Sequence, residues 1–137
     1  MRTAIDTNIL IDVFTIDHRF GPSSREALQQ AYSSGALLVG EVVYSELAAA
    51  FPSQKDLNES LKILGVDFIG SNRDACWLAG EAWKKYRTKG GPRNRVIADF
   101  LIGANALTHA DALLTRDRGF YKSYFPQLKL IQPFISP

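Results

Sequence analysis

Two short apolar runs each end in an aspartate followed by polar residues. Residues 2–6 (RTAID) close on Asp6 and pass into Thr7-Asn8, and residues 112–115 (ALLT) lead through Thr115-Arg116 to Asp117. Asp, Thr and Asn are common helix N-caps, so either acid can be read as satisfying orphan amides. Two strands that exit into an Asp suggest more than capping, because neighbouring parallel strands bring such exits together. Two further acids fall inside helical patterns. With Val42 as origin at about 100° per residue, Glu46 lies near 40° and Leu47 near 140°, which places Glu46 within the apolar arc. The segment RVIADFLIGANALTHA is apolar nearly all round and reads as a buried helix, with Asp99 beside the small Gly103 and Ala106.

A buried carboxylate needs a cation, a donor or a shifted pKa. For Asp99, Arg95 one turn earlier is a structural candidate. Taken together, Asp6, Glu46, Asp99 and Asp117 would repel one another. One or two hard divalent ions turn them into an oxygen-rich site suited to Mg²⁺ or Mn²⁺. Such a site activates a water and offsets charge on a phosphodiester during in-line displacement. Six of the 16 Lys and Arg residues precede Asp99 without an acid among them: Lys84, Lys85, Arg87, Lys89, Arg93 and Arg95. They read either as a solvated helix end or as a track for an RNA backbone leading to the acids.

These residues need a frame. Residues 2–6, 36–39, 66–69, 112–115 and 128–131 read as strands. Helical patterns cover roughly 8–14, 23–34, 41–51, 54–64, 72–88 and 94–109, with a short helix after Asp117. Gly35, Gly65 and Gly90-Gly91-Pro92 punctuate them. Strands alternating with helices predict an α/β fold with a mainly parallel sheet, whose working site lies outside the carboxyl ends of the strands. The 137 residues, 46% hydrophobic and 22% charged, suit one globular domain spanning 1–137. A net charge of +2 is too small to argue for nucleic-acid binding by itself. No apolar run is long enough for a membrane span, and Arg2, Asp6, Asp12 and Asp17 interrupt any secretory signal. The single Cys76 fits a reducing, cytoplasmic compartment and reads as a small core residue.

The segments AIDTNILIDVF, YSELAAAF, ADFLIGANAL and ALLTRDRGFY, in this order and spacing, resemble the PIN-domain family of metal-dependent ribonucleases. The likeness is greatest to the VapC-type toxins of toxin–antitoxin pairs and runs from about Thr3 to Pro133. The resemblance implies a three-layer α/β/α domain with a central sheet of about five strands. It implies that Asp6, Glu46, Asp99 and Asp117 bind Mg²⁺ or Mn²⁺, with Thr7, Asn8 and Thr115 in support. It further implies an endoribonuclease that inhibits translation by cutting RNA, with transfer RNA favoured, a cognate antitoxin and a homodimer. Ala48, Phe51 and Leu57 are candidate dimer contacts.

Other constellations are weaker. The histidines, His18 and His109, and one cysteine make no zinc site. Asp12, Asp17 and Asp111 read as solvated or capping groups. Tyr44, Phe51, Trp77, Trp83 and Tyr86 read mostly as core or dimer contacts. A phosphotransfer enzyme with an aspartyl nucleophile is an alternative, opposed by Asn8 at the position of a second Asp. A non-catalytic interaction module is the other alternative, and it would keep partner binding after its carboxylates are removed.

Overall fold

The computed structural model describes residues 1–90 and 94–134. Five three-residue strands form its centre: β1 (Thr3–Ile5), β2 (Leu37–Val39), β3 (Val66–Phe68), β4 (Ala112–Leu114) and β5 (Lys129–Ile131). All pair in parallel, in the order β3-β2-β1-β4-β5. Among the described residues seven helices complete a three-layer α/β/α fold. They are α1 (Thr7–Phe14), α2 (Gly21–Ser34), α3 (Glu41–Ala48), α4 (Gln54–Leu64), α5 (Arg73–Thr88), α6 (Ile97–His109) and α7 (Arg118–Tyr124).

The three inner strands are buried on both faces, which is why they read as continuous apolar runs rather than alternating ones. Their side chains join Leu10, Leu47, Leu57 and Phe100 in one core. Local chemistry sets the helix ends. Ser53 and Asn72 accept the Asp56 and Ala75 amides at the starts of α4 and α5, and Gly65 closes α4 in the left-handed conformation at φ 72°.

After β1 the chain moves outward to β2 on one side and later returns to β4 on the other. The order therefore reverses between β1 and β4, where a crevice opens at the strands' carboxyl ends. Asp6 follows β1 and Thr115-Arg116-Asp117 follows β4.

Several expectations need correction. Helix α6 begins at Ile97 with an extended Val96 as N-cap, so Arg95 precedes the helix rather than sitting one turn below Asp99. Gly103 is small because of Phe125: a Cβ there would meet the Phe125 ring at 2.4 Å. Helix α3 stops at Ala48; its buried face narrows to Val43 and Leu47, and Glu46 is exposed outside it. Cys76 is exposed, as is Trp77. Leu57, at 1% exposure, belongs to the chain's own core and is not available to a second subunit.

Candidate active site

Asp6 is the N-cap of α1, and its Oδ1 accepts the Thr7 amide at 2.8 Å. Its side of the crevice is otherwise closed: Asp6 is only 5% exposed. Oδ2 accepts the hydroxyls of Thr115 at 2.7 Å and Tyr121 at 3.1 Å, with the Asn8 amide at 3.5 Å. Burial is the strongest influence on its carboxyl group and raises the pKa. The bonds from Thr115, Thr7 and Tyr121 pull it down and the Glu46 charge pushes it up, for a net rise above the ordinary carboxylate value. Burial, more than repulsion among the acids, is thus what perturbs this residue.

Thr115 ties two acids together. Its Oγ1 donates to Asp6 and accepts the Asp117 amide at 2.9 Å. Glu46 joins from α3 by accepting the Thr7 hydroxyl at 2.6 Å. Asp99, at the third position of α6, accepts the Val96 amide at 2.9 Å. Tyr121 feels the charge of three of the acids. Burial first, then the charge and hydrogen bond of Asp6 and the charges of Asp117 and Asp99, push its phenol far above the usual value. Asp6 and Asp117 therefore share Thr115 at the β1/β4 crevice, with Asn8 beside Asp6, and Glu46 is tied to the same strand exit through Thr7; among the described residues Asp99 makes no hydrogen bond with this group.

The acids are not left bare. Arg95 Nη1 lies 2.8 Å from Asp117 Oδ2, with its guanidinium 4.3 Å above the Phe120 ring. Burial alone would lower the Arg95 pKa, but contact with Asp117 and the charges of Asp117 and Asp99 outweigh it and raise it. The partner expected for Asp99 has gone to Asp117. Among the described residues no three acids, imidazoles or thiols are grouped closely enough to hold one metal ion. The donor set nonetheless suits a hard divalent ion: it is all oxygen, and one carboxylate is fixed by three donors in a buried position.

Of the basic run, Lys84, Lys85 and Arg87 are exposed on the last turns of α5 and Lys89 just beyond. Arg93 lies outside the described residues. Trp83 is half-buried beneath the Arg87 guanidinium, at 4.9 Å. Only Arg95 of this run reaches the acids among the described residues.

Two sets of residues were missed. Tyr121 lies four residues beyond Asp117, one turn into the helix that starts there, a spacing that could have flagged it. Asp12 is neither solvated nor a cap: at 3% exposure it accepts Arg116 Nε at 2.8 Å, Arg116 Nη2 at 3.1 Å and Ser24 Oγ at 2.7 Å. It sits in the apolar run ILIDVF, the same signal that singled out Asp99. Arg116 also stacks on Phe20 at 3.9 Å and donates its amide to Asn8 Oδ1 at 3.3 Å. Asp17 acts as a local cap, accepting the Arg19 and Phe20 amides, whereas the exposed Asp111 accepts the distant Arg2 amide.

Comparison with known proteins agrees with this architecture. The PIN domain model matches residues 3–126, and the chain belongs to that family. No curated protein sequence is significantly similar. Among solved structures, VapBC2 from Rickettsia felis, bound to a DNA fragment from its promoter, has a TM-score of 0.73 at 19% identity, covering 98% of this chain and 100% of that one. VapBC-1 from nontypeable Haemophilus influenzae has a TM-score of 0.71 at 19% identity, covering 96% and 98%. VapC20 from Mycobacterium tuberculosis, described as a sarcin–ricin loop cleaving toxin, has a TM-score of 0.58 at 13% identity, covering 93% and 98%. At these identities the likeness is one of fold. Among the described residues no helix is long and apolar enough to cross a membrane.

Proposed function

We propose that this chain is a divalent-metal-dependent endoribonuclease that hydrolyses phosphodiester bonds in structured RNA, acting as the toxin of a toxin–antitoxin pair. Transfer RNA is the first candidate substrate and inhibition of translation the consequence. The reading is carried by one observation: a buried Asp6 and Asp117, joined through Thr115, stand at the switch point of a parallel sheet, with Glu46 tied to the same exit through Thr7. Structural neighbours described as toxin–antitoxin proteins, one of them an RNA-cleaving toxin, support it.

Asp6, Asp99 and Asp117, with Glu46, would hold Mg²⁺ or Mn²⁺. When bound, the ion supplies Lewis acidity that lowers the pKa of a water and offsets charge on the phosphate. The protein's own contribution is placement. Thr115 holds Asp6 and the Asp117 backbone in one arrangement, Tyr121 closes the inner side of Asp6, and Thr7 orients Glu46. Lys84, Lys85, Arg87, Lys89, Arg93 and Arg95 would carry the RNA backbone toward them. Neutralising two of the exposed ones should lower the slope of log K against log salt by about 0.7–0.9 per lost phosphate contact. An acidic crevice of this kind also suits an arginine-bearing arm of a cognate antitoxin. A cytoplasmic homodimer completes the reading.

The test is cleavage of transfer and ribosomal RNA with Mn²⁺ or with chelator. Asp6→Asn, Asp99→Asn and Asp117→Asn should each abolish divalent-dependent cleavage while circular dichroism and the melting midpoint show a folded chain. Wild-type turnover in any of the three at saturating Mg²⁺ would overturn the assignment of that acid.

A further inference from the structure

Arg95 occupies an unusual place for a residue of a substrate-binding surface. It leaves the chain just before the α6 N-cap and brings a positive charge into the acidic crevice, where Asp117 and Asp99 both act on it. Two independent supports hold it there. One is Asp117, at 2.8 Å; the other is the face of Phe120, at 4.3 Å. Phe120 is itself 8% exposed and set edge-on against Phe100 at 5.1 Å, so the aromatic seat does not depend on the carboxylate. Arg95 remains 28% exposed, with its fork of donors beside solvent.

We propose that Arg95 is a resident cation of the acidic site that gives up Asp117 when a divalent ion binds and then grips the substrate phosphate next to it. This rests on the metal-dependent nuclease reading above. A divalent ion on Asp117 and a guanidinium at 2.8 Å from the same carboxylate repel each other, so each weakens the hold of the other. Released from Asp117, the guanidinium keeps its seat on Phe120, and its planar fork matches a phosphate in two-point contact. The ligand class that fits is a phosphodiester lying against the acids. In the ion-free state the same arginine offsets their repulsion. Arg116, clamped on Asp12, has no such freedom.

The experiment compares wild type, Arg95→Gln and Arg95→Lys by calorimetric titration with Mn²⁺, alongside RNA cleavage and binding of a nuclease-resistant 2′-O-methyl RNA. Removing a competing cation should tighten Mn²⁺ binding by up to about fivefold, the most that a half-exposed ion pair is worth. Cleavage at saturating Mn²⁺ should fall nonetheless. The salt slope of RNA binding should drop by about 0.7 in Arg95→Gln when Mn²⁺ is present and stay unchanged with chelator. Arg95→Lys keeps the charge without the fork, so its Mn²⁺ affinity should stay near wild type while cleavage is reduced. It also carries the test should Arg95→Gln melt early. A purely structural pin predicts unchanged or weaker Mn²⁺ binding in Arg95→Gln, and that result overturns the proposal, as does an equal slope change with and without Mn²⁺. A folded wild type that binds no Mn²⁺ would overturn the metal reading itself, and this exchange with it.

Discussion

Arg95 pairs with Asp117 of the β4 exit and Arg116 of that exit pairs with Asp12 of α1, yet the two pairs are built differently. Arg116 makes two aligned hydrogen bonds to Asp12, whose side chain is 4% exposed and also accepts Ser24. Its guanidinium is sandwiched against Phe20, and its backbone amide is tied to Asn8. Arg95 makes one close contact to an Asp117 that is 35% exposed. A buried, fully bonded pair is costly to break because the survivor is stranded. A rim pair is cheap to break and can exchange partners. The difference separates a clamp, which fixes the β4 exit against α1 and so sets Asp117 relative to Asp6, from a contact that can serve a ligand.

Breaking the clamp should give the largest effect. Arg116→Ala leaves the Asp12 carboxylate buried with Ser24 as its remaining donor, and should cost about 3 kcal/mol of stability. Urea unfolding monitored by tryptophan fluorescence checks it. A loss below about 1 kcal/mol would mean that the crevice relaxes to let water reach Asp12, and the contrast with Arg95 would fail.

The contrast was only half visible in the sequence. The fold was legible because β1, β2 and β4 are short runs buried on both faces, and helices such as α4 and α5 carry their own capping signals. Asp6 and Asp117 were legible because topology alone brings strand exits together. Arg95 was misplaced because sequence periodicity cannot locate a helix start to within a turn; Arg95 lies before the helix, and its side chain meets Asp117. Asp12 carried a local signal, its place in an apolar run, but its partner Arg116 lies 104 positions away, where nothing local reports it. Glu46 was found by a helical-wheel argument that put it on the wrong face; its bond to Thr7 reaches it from the exposed side.

Thr115 stands between the two pairs, and its fully buried hydroxyl serves both Asp6 and the Asp117 amide. Thr115→Val preserves shape but strands a buried acceptor and a backbone donor, and should cost about 1–3 kcal/mol. The loss should also reach the site, as weaker Mn²⁺ binding measured by titration. Unchanged Mn²⁺ affinity at reduced stability would assign Thr115 to the fold alone.

Asp6→Asn should act more through pH than through the total. The Asp6 pKa is raised in the folded state above its ordinary 3.8, chiefly by burial. Such a group adds stability that is full below its unfolded value and is lost as pH rises through the folded one. Relief of that charge in Asp6→Asn is offset by weaker bonds from Thr115 and Tyr121. Metal-free melts should therefore show the variant gaining on wild type as pH rises from about 4 to 8. Parallel curves would show that Asp6 titrates as an ordinary carboxylate.

The smallest change in stability belongs to Arg95→Gln, and it tests the comparison most directly. The lost pair is partly solvated, and the shorter amide still packs near Phe120. Against this, the mutation removes the cation that offsets Asp117 and Asp99, so some destabilisation is expected in chelator. The two together should amount to about 0.5–1 kcal/mol, several-fold less than for Arg116→Ala. Salt discriminates further: the Arg95→Gln difference should shrink between about 0.05 and 0.5 M NaCl as the crevice is screened, whereas the Arg116→Ala difference should persist because Asp12 is shielded from solvent. Equal losses and equal salt responses for the two variants would mean that Arg95 is a second clamp. The acidic crevice would then be closed by its own arginine, with no exchange of partners available to it.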